Sequence, residues 1–281
     1  MEITCRLKSV IGGLFVTRLF IMDYSGSSDE EILLAFQGRF ISSKRAVELE
    51  ELGANVNYQN ELKRNYTGML DDRLKERIKE KLGAELMIAA AMRSMGLEYT
   101  PPKYERTESG MPWCDEAFFS VSHTQNIVCS VIGNTPVGVD VEFKRTVKSG
   151  IARKILSESE QAEYACSKSK NDFLLRHWTA KESCLKLSGR GIETNMRLLS
   201  LDETYSVTVE RSSDGAVKGI IHSVIMDSEE LKEMGFNICD CFIAVSGVER
   251  ESIKIQVFNG FNELTGFLDG RIEKQHGDSQ A

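Results

Sequence analysis

The spacing of apolar residues along the chain predicts a mixture of helices and strands. Apolar residues recur at helical spacing over 73–95 and 171–187, which predicts two long helices. Ser157-Glu158-Ser159-Glu160 has the form of a capping box and predicts the start of another helix. Alternating or short continuous apolar runs predict strands at 13–23, 118–122, 127–133, 136–143, 206–209, 220–226, 241–248 and 253–258.

One of these strands carries two acidic residues on a single face. Segment 137–143 alternates valine or phenylalanine with small or acidic residues, so Gly138, Asp140 and Glu142 share the face opposite the apolar side chains. Two carboxylates on one face repel each other unless a cation or a basic group lies between them. Oxygen ligands without histidine or cysteine favour Mg²⁺, with Mn²⁺ as the alternative, over zinc. The strand therefore predicts part of a magnesium site.

The second predicted long helix carries a third acidic residue and a lysine on one face. Trp178, Glu182 and Lys186 are spaced four residues apart, which places them on one side of the helix. Glu182 is then a candidate third metal ligand, and Lys186 lies one turn further on. Taken alone, such a helix pair is commonly a solvated face, and an Asp-x-Glu strand is commonly an exposed edge. The combination of both motifs favours a functional site.

The combined pattern resembles the signature of the Sfp-type 4'-phosphopantetheinyl transferase family. Gly138-Val139-Asp140-x-Glu142 is followed, about forty residues later, by Trp178-x-x-Lys181-Glu182-Ser183-x-x-Lys186. The strand that ends in Ser122-His123 is similar to the family strand that contacts phosphate groups of coenzyme A. Many members carry lysine where this chain has Met111. The similarity runs from about residue 60 to about residue 250.

The resemblance implies an α+β fold, a pseudo-dimer of two similar α/β subdomains with the active site at their junction. We expect an N-terminal subdomain at 1–135 on the nucleotide side of coenzyme A. A C-terminal subdomain at 136–268 would carry the metal and the catalytic helix. The polar stretch 269–281 would form a disordered tail. Because two halves are joined in one chain, a monomer is expected.

The resemblance also implies an activity. The expected reaction is Mg²⁺-dependent transfer of the 4'-phosphopantetheine arm of coenzyme A to a serine of an apo acyl or peptidyl carrier protein. The products would be holo-carrier protein and adenosine 3',5'-bisphosphate, in secondary metabolite biosynthesis. The implied metal ligands are Asp140, Glu142 and Glu182. The implied catalytic residues are Glu182, as the base, and Lys186. The implied contacts to coenzyme A are Ser122, His123, Lys181 and Lys186.

Lys181 has two interpretations. It lies about 100° around the helix from Glu182, so the two side chains cannot share one contact. The lysine is therefore expected either to contact phosphate or to orient the helix.

Charge narrows the range of partners. The net charge of −7 and the pI near 5.4 argue against general nucleic-acid binding. Segment 144–154 is nevertheless basic and contains no acidic residue. It is either a solvated loop or a docking patch for an acidic carrier protein. The cations of this basic patch are Lys144, Arg145, Lys148, Arg153 and Lys154.

The cysteines and the apolar runs predict where in the cell the protein is found. Seven cysteines without a Cys-x-x-Cys pair suit the reduced thiols of a cytoplasmic protein. The apolar run 10–16 is too short for a membrane span and lacks the features of a signal peptide, so no membrane association is expected.

Two rival functions use the same residues. One is another Mg²⁺-dependent phosphoryl or nucleotidyl enzyme, such as a nuclease, and the acidic pI counts against it. The other is an inactive scaffold that binds carrier proteins. Three acids with a neighbouring lysine count against that alternative, because a purely binding module has no use for them.

Overall fold

A computed structural model describes residues 17–28, 31, 35, 72–97, 105–106, 112–188, 195–209, 219–247 and 253–270. The described residues form a mixed α+β structure, which confirms the predicted class. The helices are α1 (Asp72–Ser94), α2 (Ala152–Ile155), α3 (Glu158–Cys166), α4 (Lys170–Ser188), α5 (Ser228–Glu233) and α6 (Phe261–Leu268). The strands are β1 (Thr17–Asp23), β2 (Glu105–Arg106), β3 (Pro112–Trp113), β4 (Phe118–Thr124), β5 (Ile127–Gly133), β6 (Gly138–Phe143), β7 (Val207–Val209), β8 (Gly219–Ile221), β9 (Ser223–Asp227), β10 (Cys241–Ser246) and β11 (Ile253–Asn259).

Two sheets carry the architecture. The first has the order β11-β1-β5-β4, with β11 parallel to β1 and the other neighbours antiparallel. The second has the order β6-β10-β9 and is antiparallel throughout. The pairs β2–β3 and β7–β8 form two small separate ladders.

The same connection occurs twice along the chain. The first unit is β1, α1, β4 and β5, and the second unit is β6, α4, β9 and β10. In each unit a long helix follows the first strand, and the last strand lies between the other two. The chain passes from the first unit to the second between Gly133 and Gly138.

The core lies between the sheets and beneath each long helix. Alternate residues such as Leu19 and Val131 of the first sheet pack against Val139 and Ile243 of the second. The opposite face of the first sheet, including Phe20, packs against α1 and α6. Burying one such side chain contributes about 1.5–3 kcal/mol. The predicted alternation over 137–143 is confirmed, because Val137, Val139 and Val141 are all buried in the inter-sheet core.

A glycine brings α4 close to β6. A Cβ atom added at Gly138 would lie 2.6 Å from the backbone nitrogen of Leu187 and closer still to the carbonyl oxygen of Ser183. Both are backbone atoms of α4, which cannot move aside as a side chain can. This close approach places residues of α4 next to the acidic face of β6.

Most of the predicted elements are present. The two long helices are confirmed as α1 and α4, and the capping box is formed by Ser157 and Glu160 at the start of α3. The single strand predicted at 220–226 is wrong. The structure divides it at His222 into β8, which pairs with β7, and β9, which pairs with β10. The helix α6 was not predicted, and residues 13–16 and 271–281 lie outside the described residues.

The C-terminal boundary also needs correction. Residues 253–268, assigned from the sequence to the C-terminal subdomain at 136–268, belong to the core of the first unit. Strand β11 pairs with β1, and Phe261, Leu264 and Phe267 of α6 pack in the apolar cluster beneath α1. Within the part of the chain that the structure describes, no helix combines the length and apolar character needed to cross a membrane.

Candidate active site

Three polar side chains form a hydrogen-bonded triangle where the two sheets meet. Lys186 Nζ of α4 donates to Asp140 Oδ1 at 2.7 Å and to Ser122 Oγ at 2.7 Å. Ser122 Oγ in turn donates to Asp140 Oδ1 at 2.8 Å. Ser122 comes from β4 of the first sheet, whereas Asp140 comes from β6 of the second. The triangle therefore joins both sheets and the long helix of the second unit.

Local backbone contacts explain why these side chains meet. Strands β4 and β6 are the edges of their sheets, and the backbone N–H of Val139 donates to Ser120 Oγ at 3.3 Å. Phe119 points into the core beneath α1, so the alternation of β4 turns Ser120 and Ser122 to the other face. That face is the one that β6 approaches.

The two glutamates lie in the electrostatic field of Asp140. Burial and the neighbouring charge of Asp140 raise the pKa of Glu142 to about 7, although Arg145, 3.1 Å away, opposes this. Burial and Asp140 also raise the pKa of Glu182, and the charge of Lys186 opposes that shift. The acids predicted from the two motifs are thus close enough to affect one another's ionisation. Lys186 and Arg145 oppose these rises in pKa without cancelling them.

The acid cluster has the properties of a cation site. Asp140 Oδ2 is buried and has no hydrogen-bond partner among the described residues. A buried carboxylate oxygen without a partner is costly, and a cation would satisfy it. Carboxylate oxygens are also the ligands that Mg²⁺ prefers. Among the residues described, however, no three acidic, histidine or cysteine side chains already converge on one point as metal ligands.

Lys181 faces away from this cluster. Its side chain is completely buried, and its ammonium contacts Glu160 of α3 and donates to the carbonyl oxygen of Ile155 at 2.9 Å. Burial lowers the pKa of this ammonium, and the hydrogen bond and charge of Glu160 oppose the shift. A phosphate group cannot reach an enclosed ammonium that already has two partners. The placement contradicts the phosphate contact expected of Lys181 and agrees with the helix-orienting alternative.

Ser122 and His123 occupy different environments. The Ser122 side chain is buried and engaged in the triangle, whereas His123 is exposed. His123 Nδ1 lies 3.7 Å from Glu80 Oε2 of α1. The structure therefore brings Ser122 together with Asp140 and Lys186 but does not bring the imidazole into the triangle. The contacts of both residues to coenzyme A stay predictions, and Met111 lies outside the described residues.

The five cations of the basic patch differ in their contacts. Lys144 Nζ lies 4.9 Å from the centre of the Phe242 ring, and Arg145 pairs with Glu142 and lies over the ring of Trp178. The remaining cations, Lys148, Arg153 and Lys154, are exposed. The first two members thus belong to the surroundings of the acid cluster. Arg145 is also exposed, so the accessible part of the patch consists of Arg145 and the last three cations.

Glu160 is a residue that the sequence did not single out for function. The capping box drew attention to it only as a helix start. Its carboxylate also binds Lys181 of the signature, a contact that spans 21 residues of sequence. The capping-box pattern could have identified Glu160 as a fixed acid, but nothing in the sequence paired it with Lys181.

A separate cavity of about 410 Å³ lies at the ends of β1 and β11. Its lining includes Asp23, Asn259, Gly260 and the loop residues 237–239. It contains none of the predicted site residues, so the acid cluster rather than this cavity is the candidate active site.

Comparison with known proteins agrees with the signature. Residues 136–228 match the model of the 4'-phosphopantetheinyl transferase superfamily. This segment contains β6 and α4, and hence Asp140, Glu142, Glu182 and Lys186. The segment that carries the candidate active site is therefore similar to the phosphopantetheinyl transferases.

Three individual proteins show where this similarity lies and how far it extends. The 4'-phosphopantetheinyl transferase ffp of Bacillus subtilis is 30% identical over 137 residues, 46% of this chain and 61% of the relative. The transferase gsp of Aneurinibacillus migulanus is 26% identical over 159 residues, 54% of this chain and 64% of the relative. The transferase Sfp of Bacillus subtilis (strain 168) is 26% identical over 141 residues, 48% of this chain and 59% of the relative. The matches span about three fifths of each relative. The resemblance to the Sfp-type family, predicted from the signature, is thus confirmed over the matched region.

Proposed function

We propose that this protein transfers the 4'-phosphopantetheine arm of coenzyme A to a serine hydroxyl of an apo acyl or peptidyl carrier protein. The products are holo-carrier protein and adenosine 3',5'-bisphosphate. One observation carries the proposal: Asp140, Glu142 and Glu182 form one electrostatic cluster with Lys186, inside the segment that matches the family.

The reaction exchanges one phosphorus–oxygen bond for another. The carrier serine oxygen bonds to the phosphorus that bears the pantetheine arm, and the bond from this phosphorus to the bridging pyrophosphate oxygen breaks. The serine proton passes to the Glu182 carboxylate. The negative charge that develops on adenosine 3',5'-bisphosphate is offset by the Lys186 ammonium. Such transfers depend on positioning and on compensation of charge.

The raised pKa of Glu182 suits the role of a general base. A carboxylate whose pKa lies closer to neutral binds the serine proton more strongly than an ordinary glutamate does. Partial burial is the main cause of this raised pKa. Lys186 is tied to Asp140 and Ser122, so its ammonium is held in place before substrate arrives.

We propose Asp140, Glu142 and Glu182 as the residues that hold Mg²⁺, with Mn²⁺ as the alternative. The unpartnered Asp140 Oδ2 supports this, and so do the pKa values of both glutamates, which burial and the charge of Asp140 raise. When bound, the ion would offset charge on the pyrophosphate of coenzyme A. Ser122 keeps Asp140 oriented, and Arg145 does the same for Glu142.

We further propose that the first and second units form a pseudo-dimer whose junction is the active site. The repeated strand order and the triangle built from β4, β6 and α4 support this. We propose the exposed cations Lys148, Arg153 and Lys154 as the docking patch for an acidic carrier protein. A monomeric, cytoplasmic enzyme of secondary metabolism completes the proposal, and the free thiols of the six described cysteines support the cytoplasmic location.

Mass spectrometry of the carrier tests the activity. The full-length protein is incubated with coenzyme A, Mg²⁺ and an apo carrier protein. A carrier whose acceptor serine is replaced by alanine serves as the control. A mass gain of one phosphopantetheine group, absent from the control, supports the transferase. An unchanged mass across fatty-acid, polyketide and peptide carriers rejects it, and carrier binding without the gain supports the scaffold alternative. Cleavage of nucleic acid in place of the gain supports the nuclease.

A further inference from the structure

We propose that Glu160 is a positioning residue that, through its buried ion pair with Lys181, sets the rotation of α4 and so aims Glu182 at Asp140. The inference rests on the proposed function for its catalytic consequence. Its structural core, the aiming of Glu182, can be measured separately.

The pair is enclosed and connects several segments of the chain. The side chains of Lys181 and Glu160 are 0% and 1% exposed. Glu160 accepts hydrogen bonds from the backbone N–H of Ser157 at 2.7 Å and of Leu201 at 2.9 Å, in addition to Lys181. Lys181 also donates to the carbonyl oxygen of Ile155. One ion pair therefore ties α4 to the end of α2, to the start of α3 and to the chain beyond α4.

Because Lys181 lies next to Glu182 on α4, its contact with Glu160 also fixes the direction of the Glu182 side chain. Lys181 and Glu182 are adjacent, so their side chains leave α4 about 100° apart. A helix held at Lys181 cannot rotate without moving Glu182 relative to β6. Ser183 fixes the next position, because its hydroxyl contacts Ser246 of β10 at 2.5 Å. The contacts of Lys181 and Ser183, on either side of Glu182 in the sequence, thus define the direction of the Glu182 side chain.

Stability alone does not account for this arrangement. Removing two charges from water is costly, and apolar residues of similar volume often serve as well or better in a core. A buried pair with defined hydrogen bonds specifies one geometry, which loose apolar packing does not. Placement matters for catalysis because a shift of about 1 Å at a reacting group can lower a rate by roughly 10²-fold.

The test uses the double variant Glu160→Gln/Lys181→Met of the full-length protein, which removes both charges together. The control is Arg176→Met/Asp227→Asn, which removes another ion pair that links α4 to β9, with a distance of 2.5 Å. Asparagine preserves the helix cap that Asp227 provides to α5. Circular dichroism and thermal melting define a temperature at which every variant is folded. We expect kcat of the double variant to fall about 10- to 100-fold, with both KM values within about threefold of wild type. The control should keep kcat within about threefold.

A folded double variant with wild-type kcat overturns the proposal, as does an equal loss in the control. If the double variant does not fold, Lys181→Gln, which retains an N–H donor toward Glu160, replaces it with the same expectation. A crystal structure of the variant decides without any assay of activity: displacement of the Glu182 carboxyl group from Asp140 supports positioning, and an unchanged carboxyl group overturns it. Failure of the proposed function is recognised separately, from a wild-type protein that adds no mass to any carrier.

Discussion

The first and second units share a strand order but pack their long helices on very different surfaces. The buried part of α1 is mostly alanine, leucine, isoleucine and methionine, with Glu85 and Ser94 as buried polar residues, and it packs on apolar residues such as Phe20 and Met22. The buried part of α4 includes His177, Thr179, Lys181 and Ser183. The sheet beneath it supplies further polar groups, Asp140, Ser223 and Ser246.

The buried polar groups of the second unit have hydrogen-bond or ion-pair partners. Ser183 and Ser223 each hydrogen-bond to Ser246, and Lys181 pairs with Glu160. Each buried polar group left without a partner would cost about 1–3 kcal/mol. The first unit shows that a mostly apolar interface serves this scaffold. We propose that the larger polar share in the second unit serves the chemistry of the candidate active site.

The largest expected difference between the units is catalytic. Glu182→Gln removes the proposed base without changing the size of the side chain, so turnover should fall about 10³-fold. Coenzyme A affinity should stay within about threefold, because other groups of the site remain. Single-turnover transfer and equilibrium binding measure the two quantities, with the exposed Glu203→Gln as the control. Near-normal turnover of the Glu182 variant would exclude it as the base.

A pair of glycine substitutions compares the two helix–sheet contacts directly. Gly138→Ala places a methyl group against backbone atoms of α4 and should lower the free energy of unfolding by about 2–3 kcal/mol. Gly83→Ala in α1 meets the side-chain ends of Met22 and Val128 at 3.0 Å, which can yield. It also gains about 1 kcal/mol of helix propensity, so its net change should stay within about 1 kcal/mol. Urea denaturation measures the free energy of unfolding of both variants. Equal losses would contradict the conclusion that α4 lies closer to its sheet at Gly138 than α1 does at Gly83.

The ionisation of Glu142 should make metal-free stability depend on pH. Its folded pKa of about 7 lies above the ordinary value of 4.5, so the folded state binds the extra proton. This contribution to stability is complete at acidic pH and is lost as pH rises to about 7. Glu142→Gln removes the loss and should stabilise the protein by about 2 kcal/mol at pH 8, and by less at pH 5.

Denaturation with a chelator present measures this effect at both pH values. A benefit from the substitution that is equal at pH 5 and pH 8 would contradict a raised pKa. Asp202→Asn supplies a control whose effect on stability should be equal at pH 5 and pH 8, because hydrogen bonds lower the pKa of that carboxyl group, despite the desolvation that opposes them, and keep it ionised at both.

The smallest expected effect concerns the exposed cations of the second unit. Reversal of Lys148, Arg153 and Lys154 to glutamate should lower kcat/KM for an acidic carrier protein about tenfold at low salt and less at high salt. Reversal of the exposed Lys168, Lys232 and Lys254 changes the net charge equally and should have little effect. Stopped-flow or steady-state assays at two salt concentrations distinguish a docking patch from a solvated loop. Equal losses in both triple variants would favour a general charge effect.

Different parts of the site were predictable to different degrees. The periods of 2 and 3.6 residues placed Asp140 and Glu142 on one strand face and Glu182 and Lys186 on one helix face, because local geometry determines side-chain direction. Period alone also placed Lys181 away from Glu182. It could not identify Glu160 as the partner of Lys181, since that contact depends on how α3 packs against α4.

The amino-acid sequence by itself determined the long helices, the alternating strands, the family signature and the grouping of three acids with a lysine. Those features arise from local backbone periodicity and from the spacing of residue types along the chain. Only the tertiary structure decided that β11 and α6 complete the first unit, that Ser122 binds Asp140 and Lys186, and that Lys181 is enclosed with Glu160. These outcomes depend on contacts between residues distant in the chain, whose geometry is set by the packing of whole sheets and helices.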